Sequence, residues 1–401
     1  MIRKGTPSDA VDAVLATEAA RREALSAVEN KRAEANAASK EIGRSAPDER
    51  EAKKGAAKAL KDELAALEAA FNDVDAALED QVLPLPNPAH ETVPEGGEED
   101  FRVESTWGEE TAAPSMDHAE IGAHLGIVDT DRAVRMSGSR FAYVLGDAVR
   151  LQFALVQFTM SKLMGHGFVP AVVPVLVRED MMVDAGFFPT DRNQVYEVEK
   201  DELFLVGTAE VGLAGLHRSE RLDAEDLPLR YVGYSSCFRR EAGTYGKDTA
   251  GLFRLHQFDK VEMFVYSHPD RSWEELELLR SLEQEIFTEL EIPHRVITVA
   301  SGDLGNAAAK KYDIEAWIPS QQTYREVTSC SNYTDYSARR MSTRVKDESG
   351  TQPLHTLNGT ACAIGRTLLS IFENHQTADN TIVVPEALRP FCGGLEEITP
   401  R

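Results

Sequence analysis

The chain has 401 residues, 42% of them hydrophobic and 27% charged, with 43 basic against 67 acidic side chains and a formal net charge of −24. Length and composition fit a folded protein with one sizeable core and a second unit, and they exclude disorder throughout. The charge excludes a protein that coats nucleic acid non-specifically, so an RNA partner would have to meet a local basic strip.

Residues 8–43 and 48–81 are rich in Ala, Glu, Lys and Arg, with hardly a β-branched or aromatic residue, which is the composition of long helices. Gly43, Pro47 and Asp48 supply a stop, a turn and an acidic first turn, so the two predicted helices fold back as an antiparallel hairpin. The expected seam is thin: Val11, Val14, Leu15, Leu25, Val28 and Ile42 against Leu60, Leu64, Leu67, Phe71, Val74 and Leu78. A narrow seam suits an arm of two helices packed on each other. Basic residues gather in its far half, Lys31, Arg32, Lys40 and Arg44 going out, then Arg50, Lys53, Lys54, Lys58 and Lys61 coming back. Interleaved carboxylates leave two readings open, a strip for RNA phosphates or helices solvated by i,i+4 pairs.

Residues 83–114 are Pro-, Gly- and Glu-rich, with an extended piece around Phe101 to Val103, and read as a linker and domain boundary. Beyond it, strand-like runs at 168–177, 203–206 and 296–300 alternate with helical ones at 140–166, 273–290 and 362–375. This mixed order predicts an α+β domain around an antiparallel sheet. Cys237, Cys330, Cys362 and Cys392 form no CxxC pair, so buried thiols are expected rather than a zinc site or disulfides. No signal-peptide-like or bilayer-length apolar run occurs, and a cytoplasmic protein without membrane contact is expected.

The stretch CFRREAGTYGKDTAGLFRLHQFDKVEMF, residues 237–264, is the densest in chemistry. Read as two strands and a loop, it aims Arg239 and Glu241 to one face, and Arg254, His256, Phe258, Lys260 and Glu262 to another shared face. Gly243, Gly246 and Gly251 give the loop freedom to close over a ligand. A surface hairpin with solvated charges is the bland alternative. Against it, Phe258 among charged neighbours suits stacking on a base or a guanidinium.

This stretch resembles motif 2 of the class II aminoacyl-tRNA synthetases, and its FRREAG…GLFRLHQFDKVE wording resembles the seryl-tRNA synthetase branch. VPV at 173–175 resembles motif 1, and LNGTACAIGR at 357–366 resembles motif 3. The resemblance implies a class II antiparallel β-sheet catalytic domain flanked by helices (116–401), a linker (89–115) and a two-helix coiled-coil arm that grips tRNA (1–88). It also implies a homodimer, and about twenty family residues ahead of the position matching Met1. The implied activity is serine–tRNA ligation. ATP activates L-serine to seryl-adenylate, and the seryl group passes to the 3′ end of tRNA(Ser), with tRNA(Sec) open as a second acceptor.

Residue by residue, the resemblance gives Arg239 the α-phosphate and the substrate carboxylate, and makes Arg240 and Glu241 ATP contacts. Arg254 reaches the phosphate tail, Leu255 neighbours ATP, and Phe258 lies beneath adenine. Arg366 takes the β- and γ-phosphates. Thr208, Ala209 and Glu210 line the serine pocket, and Glu262 holds the ammonium group. Glu326, Val327, Thr328 and Ser329, in YREVTSCSN, hold ATP, with Glu326 and Ser329 as Mg²⁺ ligands; a sparse oxygen set suits that ion. Asn358 and Thr360 face the serine hydroxyl, although NGTACA departs from the NGSGLA common in bacterial members. Two rivals remain: a serine-activating paralogue serving a biosynthetic or antibiotic-resistance role, and a noncatalytic RNA-binding descendant. The latter predicts missing motif arginines, and here they are present.

Overall fold

The computed structural model describes residues 1–44, 46, 50–243 and 251–400. They form two compact units, Met1–Pro86 and Asn87–Arg401. In the first, helices α1 (Ser8–Arg44) and α2 (Arg50–Val82) run side by side. Their cross-pairs, Lys31–Glu63 at 3.0 Å, Arg32–Glu68 at 2.7 Å and Arg21–Asp75, run in opposite directions along the two helices, so the pair is antiparallel. Among the described residues, Val28, Ala35 and Ala57 are the buried apolar residues of the seam, which is as thin as the alanine content predicts. Leu15 is a correction: it is 58% exposed. Val14 and Glu18, four apart, take the inward face, and the 100° step of a helix turns Leu15 away from it.

The second unit is built on an eight-stranded sheet, here β1 (Arg102–Trp107), β2 (Val169–Val172), β3 (Leu229–Phe238), β4 (Gln257–Ser267), β5 (His294–Thr298), β6 (Lys310–Ile318), β7 (Thr323–Thr334) and β8 (His355–Ala363). Their order is β1-β5-β6-β7-β8-β4-β3-β2. All neighbours are antiparallel except β2, which joins β3 in parallel. Three helices, α3 (Asp147–Gly165), α5 (Ser272–Glu289) and α6 (Ile364–Asn374), cover one face, and a short helix α4 (Glu210–Ala214) lies on the other side. Alternation sorts β4 between the two faces. Val261, Met263 and Val265 join Leu155, Ile286 and Phe372 in the main core, whereas Phe264 and Tyr266 join a second core with Leu213. Each such burial contributes roughly 1.5–3 kcal/mol.

Several expected boundaries move for local reasons. The segment expected as a linker contains β1, which pairs with β5 at the edge of the sheet. The helix expected from residue 140 begins at Asp147, after Gly146 at φ 56° and a short strand Tyr143–Val144. Pro174 cannot donate to a ladder, and the strand expected over 168–177 is split into β2 and Leu176–Val177. Cys362 and Ala363, expected in a helix, still pair with Val261 and Lys260. The four cysteines are free and buried, as expected. No helix among the described residues is long and apolar enough to cross a membrane.

Glu283 of α5 is buried on the helix-covered face, where Thr328 Oγ1 donates to its carboxylate at 3.5 Å. Its Oε1 fills the space over Gly359, where an added Cβ would fall 2.8 Å away. Burial pushes this carboxyl well above the usual carboxylate range. A neutral acid thus supports β7 and β8 directly behind the residues they present on the other face.

Candidate active site

On the face away from α5 and α6, the sheet forms the floor of a cavity of about 440 Å³. Arg239 and Glu241 lie just past the end of β3, and Arg254 and Leu255 just before β4. All four line the cavity, with Phe258, Lys260 and Glu262 from β4. Arg254 pairs with Glu241 at 2.6 Å, while Arg239 stands 5.3 Å above the Phe258 ring and donates from Nε to Gly207 O at 3.1 Å. Glu241 adopts a left-handed φ of 49°, so this end is a tight turn rather than a continued strand. The loop tip at 244–250, with Gly246 and its expected closing motion, lies outside the described residues.

Two bulges aim the remaining groups. Between β6 and β7 the register jumps from Ile314↔Thr328 to Glu315↔Glu326, leaving Val327 as the extra residue. Residues three apart on a regular strand face opposite ways; the bulge lets Glu326 and Ser329 line the same cavity, with Val327 and Thr328 reaching its wall. A second jump, between β4 and β8, leaves Ala361 unpaired and puts Asn358, Thr360 and Ala363 on the cavity side. Arg366, in the first turn of α6, donates from a guanidinium nitrogen to Glu326 O at 3.0 Å, with the Glu326 carboxylate 3.6 Å away.

The cavity has two electrostatic ends. Around Glu326, burial opposes ionisation, but Lys311, Arg366, Arg239 and Lys260 outweigh it and hold the carboxyl below its ordinary value. At the other end the buried pair Lys260–Glu262 is joined by Thr208, whose Oγ1 donates to Glu262 at 3.3 Å and accepts from Glu210 N at 3.2 Å. Thr208 therefore closes a local turn at the start of α4 and orders a carboxylate at once. Glu210 is pushed up to about 8, first by burial and then by the charge of Glu262, against the pull of Lys260, Tyr333 and Asn358. Two neighbouring carboxyls thus divide into one held beside a cation and one held neutral.

Raising an acid above its unfolded value makes its ionisation a cost to the folded state alone. Stability is full below about pH 4.5 and declines as pH rises toward about 8. Glu210→Gln, which cannot ionise, is expected to flatten the fall in Tm across that window, as read by thermal melts at closely spaced pH.

Two expected residues fall outside the lining. Arg240 turns away, its guanidinium 5.9 Å from the Tyr196 ring and its backbone N–H bonded to Gln194 O. Ala209 is fully buried beside α4 and supports the pocket from behind. His256, expected on the face of Phe258, instead packs its ring 5.3 Å from Phe141, because β4 begins only at Gln257. Conversely, Phe253, Lys311, Ser331 and Tyr333 line the cavity without having been expected. Ser331 and Tyr333 continue the two-residue period from Ser329, a signal present in the sequence. Lys311, held 3.0 Å from Asp313, faces the cavity only through the pairing of β6 with β7.

The model of the tRNA synthetase class II core domain (G, H, P, S and T) matches residues 194–375, and that of the seryl-tRNA synthetase N-terminal domain matches residues 1–89. The serine–tRNA ligase of Acidothermus cellulolyticus is 48% identical over 392 residues, 97% of this chain and 93% of that protein. The chain belongs to the seryl-tRNA synthetase family. The serine–tRNA ligase of Mycobacterium avium is 47% identical to this synthetase over 99% of this chain and 95% of that one. Among solved structures, the seryl-tRNA synthetase from Pyrococcus horikoshii complexed with ATP has a TM-score of 0.91 at 38% identity, covering 100% of this chain and 96% of that one. The cytoplasmic serine–tRNA ligase from Naegleria fowleri in complex with AMP has a TM-score of 0.88 at 31% identity, covering 100% and 94%.

Proposed function

We propose that the cavity joins the carboxylate of L-serine to the α-phosphate of ATP and then hands the seryl group to tRNA(Ser); the chain is a serine–tRNA ligase. The observation that carries this reading is the convergence of Arg239, Arg254 and Arg366 on one end of a cavity whose other end holds Thr208, Glu210 and Glu262. The cationic end suits a triphosphate, and the Phe258 ring beside it suits a stacked base. The acidic end suits an ammonium group at Glu262.

Arg239, at the cationic end, is suited to both α-phosphate and substrate carboxylate. Little acid–base chemistry is required: displacement of pyrophosphate is served by alignment and by fixed cations where charge develops. For Mg²⁺ the donor set fits, since Glu326 is kept ionised by its cationic neighbours and Ser329 adds a hydroxyl on the same wall. Among the described residues no cluster of three His, Cys, Asp or Glu could hold a metal unaided. Such an ion would take its remaining oxygens from phosphate and water and would neutralise charge on the phosphates.

The two-helix unit is read as the tRNA arm. Lys31, Arg32, Lys53 and Lys54 are engaged by glutamates, whereas exposed Lys40, Lys58 and Lys61 take no ion pair among the described residues and remain for phosphates. A homodimer is supported by the parallel edge strand β2, which leaves Val169 55% and Val172 85% exposed.

Serine-dependent exchange of pyrophosphate into ATP, followed by charging of bulk tRNA with serine, tests the reading. Both are expected. Exchange without charging would favour a serine-activating paralogue, and the absence of both would refute the proposal.

A further inference from the structure

Tyr333 stands where β7 closes the acidic end of the cavity, in line with Ser329 and Ser331. Its hydroxyl lies beside the Glu210 carboxyl and the Asn358 amide. Burial, with Glu210 and Glu262 nearby, pushes the phenol far above its ordinary value, so it stays an O–H. Asn358 is only 6% exposed, and although Glu210 and Tyr333 lie beside its amide, its Nδ2 makes no hydrogen bond of good geometry among the described residues. A buried donor left without a well-formed hydrogen bond is a cost to the empty site, and a ligand that brings an acceptor oxygen removes that cost.

Resting on the reading of this cavity as a serine site, we propose that Tyr333 is a specificity-determining residue. Its phenol holds Asn358 and Glu210 in position to read the side-chain hydroxyl of the amino acid, and its ring fills the volume that a larger side chain would need. A small β-hydroxy amino acid answers this arrangement. Its hydroxyl oxygen accepts from Asn358 Nδ2, and its O–H donates to the oxygen of Glu210 or Tyr333. Alanine offers no such oxygen and leaves Nδ2 unpaired; threonine carries a methyl group toward the ring. A site of this kind rejects the analogue that lacks the hydroxyl far more strongly than one that differs only by a methylene.

The test is pyrophosphate exchange with serine, alanine and threonine in separate assays on wild type, Tyr333→Phe and Tyr333→Ala. Tyr333→Phe keeps the ring and removes the hydroxyl. Its KM for serine is expected to rise about tenfold, with the serine-to-alanine ratio of kcat/KM falling by a similar factor and KM for ATP nearly constant. Tyr333→Ala is expected to gain threonine-dependent exchange as the ring volume opens. A Tyr333→Phe enzyme with wild-type KM for serine and an unchanged serine-to-alanine ratio overturns the proposal, even if the alanine variant fails to fold. Wild-type protein without serine-dependent exchange would remove the reading of the site and this proposal together, so the two failures are told apart.

Discussion

Arg239→Ala is expected to lower the kcat/KM of serine-dependent pyrophosphate exchange by about 10²–10³-fold, the usual loss when one preorganised donor to developing charge is removed. The side chain is exposed toward the cavity and is anchored by a hydrogen bond to Gly207 O and by the Phe258 ring. Little of the fold leans on it, and Tm should move by no more than a few degrees. Arg366→Ala should match it in activity, because both guanidiniums act on the same end of the cavity and both lower the ionisation cost of Glu326. Groups that act as a unit are non-additive, so the double variant is expected to lose much less than the product of the two single losses. Exchange at the wild-type rate in a folded Arg239→Ala protein would remove Arg239 from the chemistry.

Lys260→Met should have the largest effect on stability. Lys260 and Glu262 are 6% and 2% exposed and pair directly, with Lys260 also donating to Thr360 Oγ1 at 3.3 Å. Removing the cation leaves a buried carboxylate with only the Thr208 hydroxyl, a loss of about 3–5 kcal/mol. In urea this is expected as a large drop in midpoint at constant slope. Replacing both members with apolar residues, Lys260→Met with Glu262→Leu, should recover much of that stability, since a buried ion pair contributes little net free energy. It should not recover serine activation, which needs the carboxylate. A double variant as active as wild type would sink the role given to Glu262, and a single variant as stable as wild type would mean that the pair is solvated.

The parts of the site legible in the sequence are those governed by short-range rules. Phe258, Lys260 and Glu262 share a face because alternate strand residues do, and Thr208 and Glu210 are brought together by a hydrogen bond between positions two apart. The helical arm follows from alanine-rich composition. One face assignment differs for a local reason: His256 was expected on the face of Phe258, but β4 begins only at Gln257. Lys311 and Phe253 were passed over because nothing near them in the chain distinguishes them from an ordinary strand lysine or core ring.

The amino-acid sequence on its own determined the α+β class and the two-helix unit, because composition and periodicity are properties of short segments, while the groups proposed to hold a nucleotide and an amino acid were indicated by the resemblance of its motifs. Only the tertiary structure decided which of those groups meet. The bulges at Val327 and Ala361, the recruitment of residues 102–107 to the sheet edge and the neutral Glu283 behind Gly359 depend on pairing between strands far apart in the chain. The neutrality of Glu210 likewise depends on burial beside Glu262, fifty-two positions away along the chain but adjacent in the folded protein.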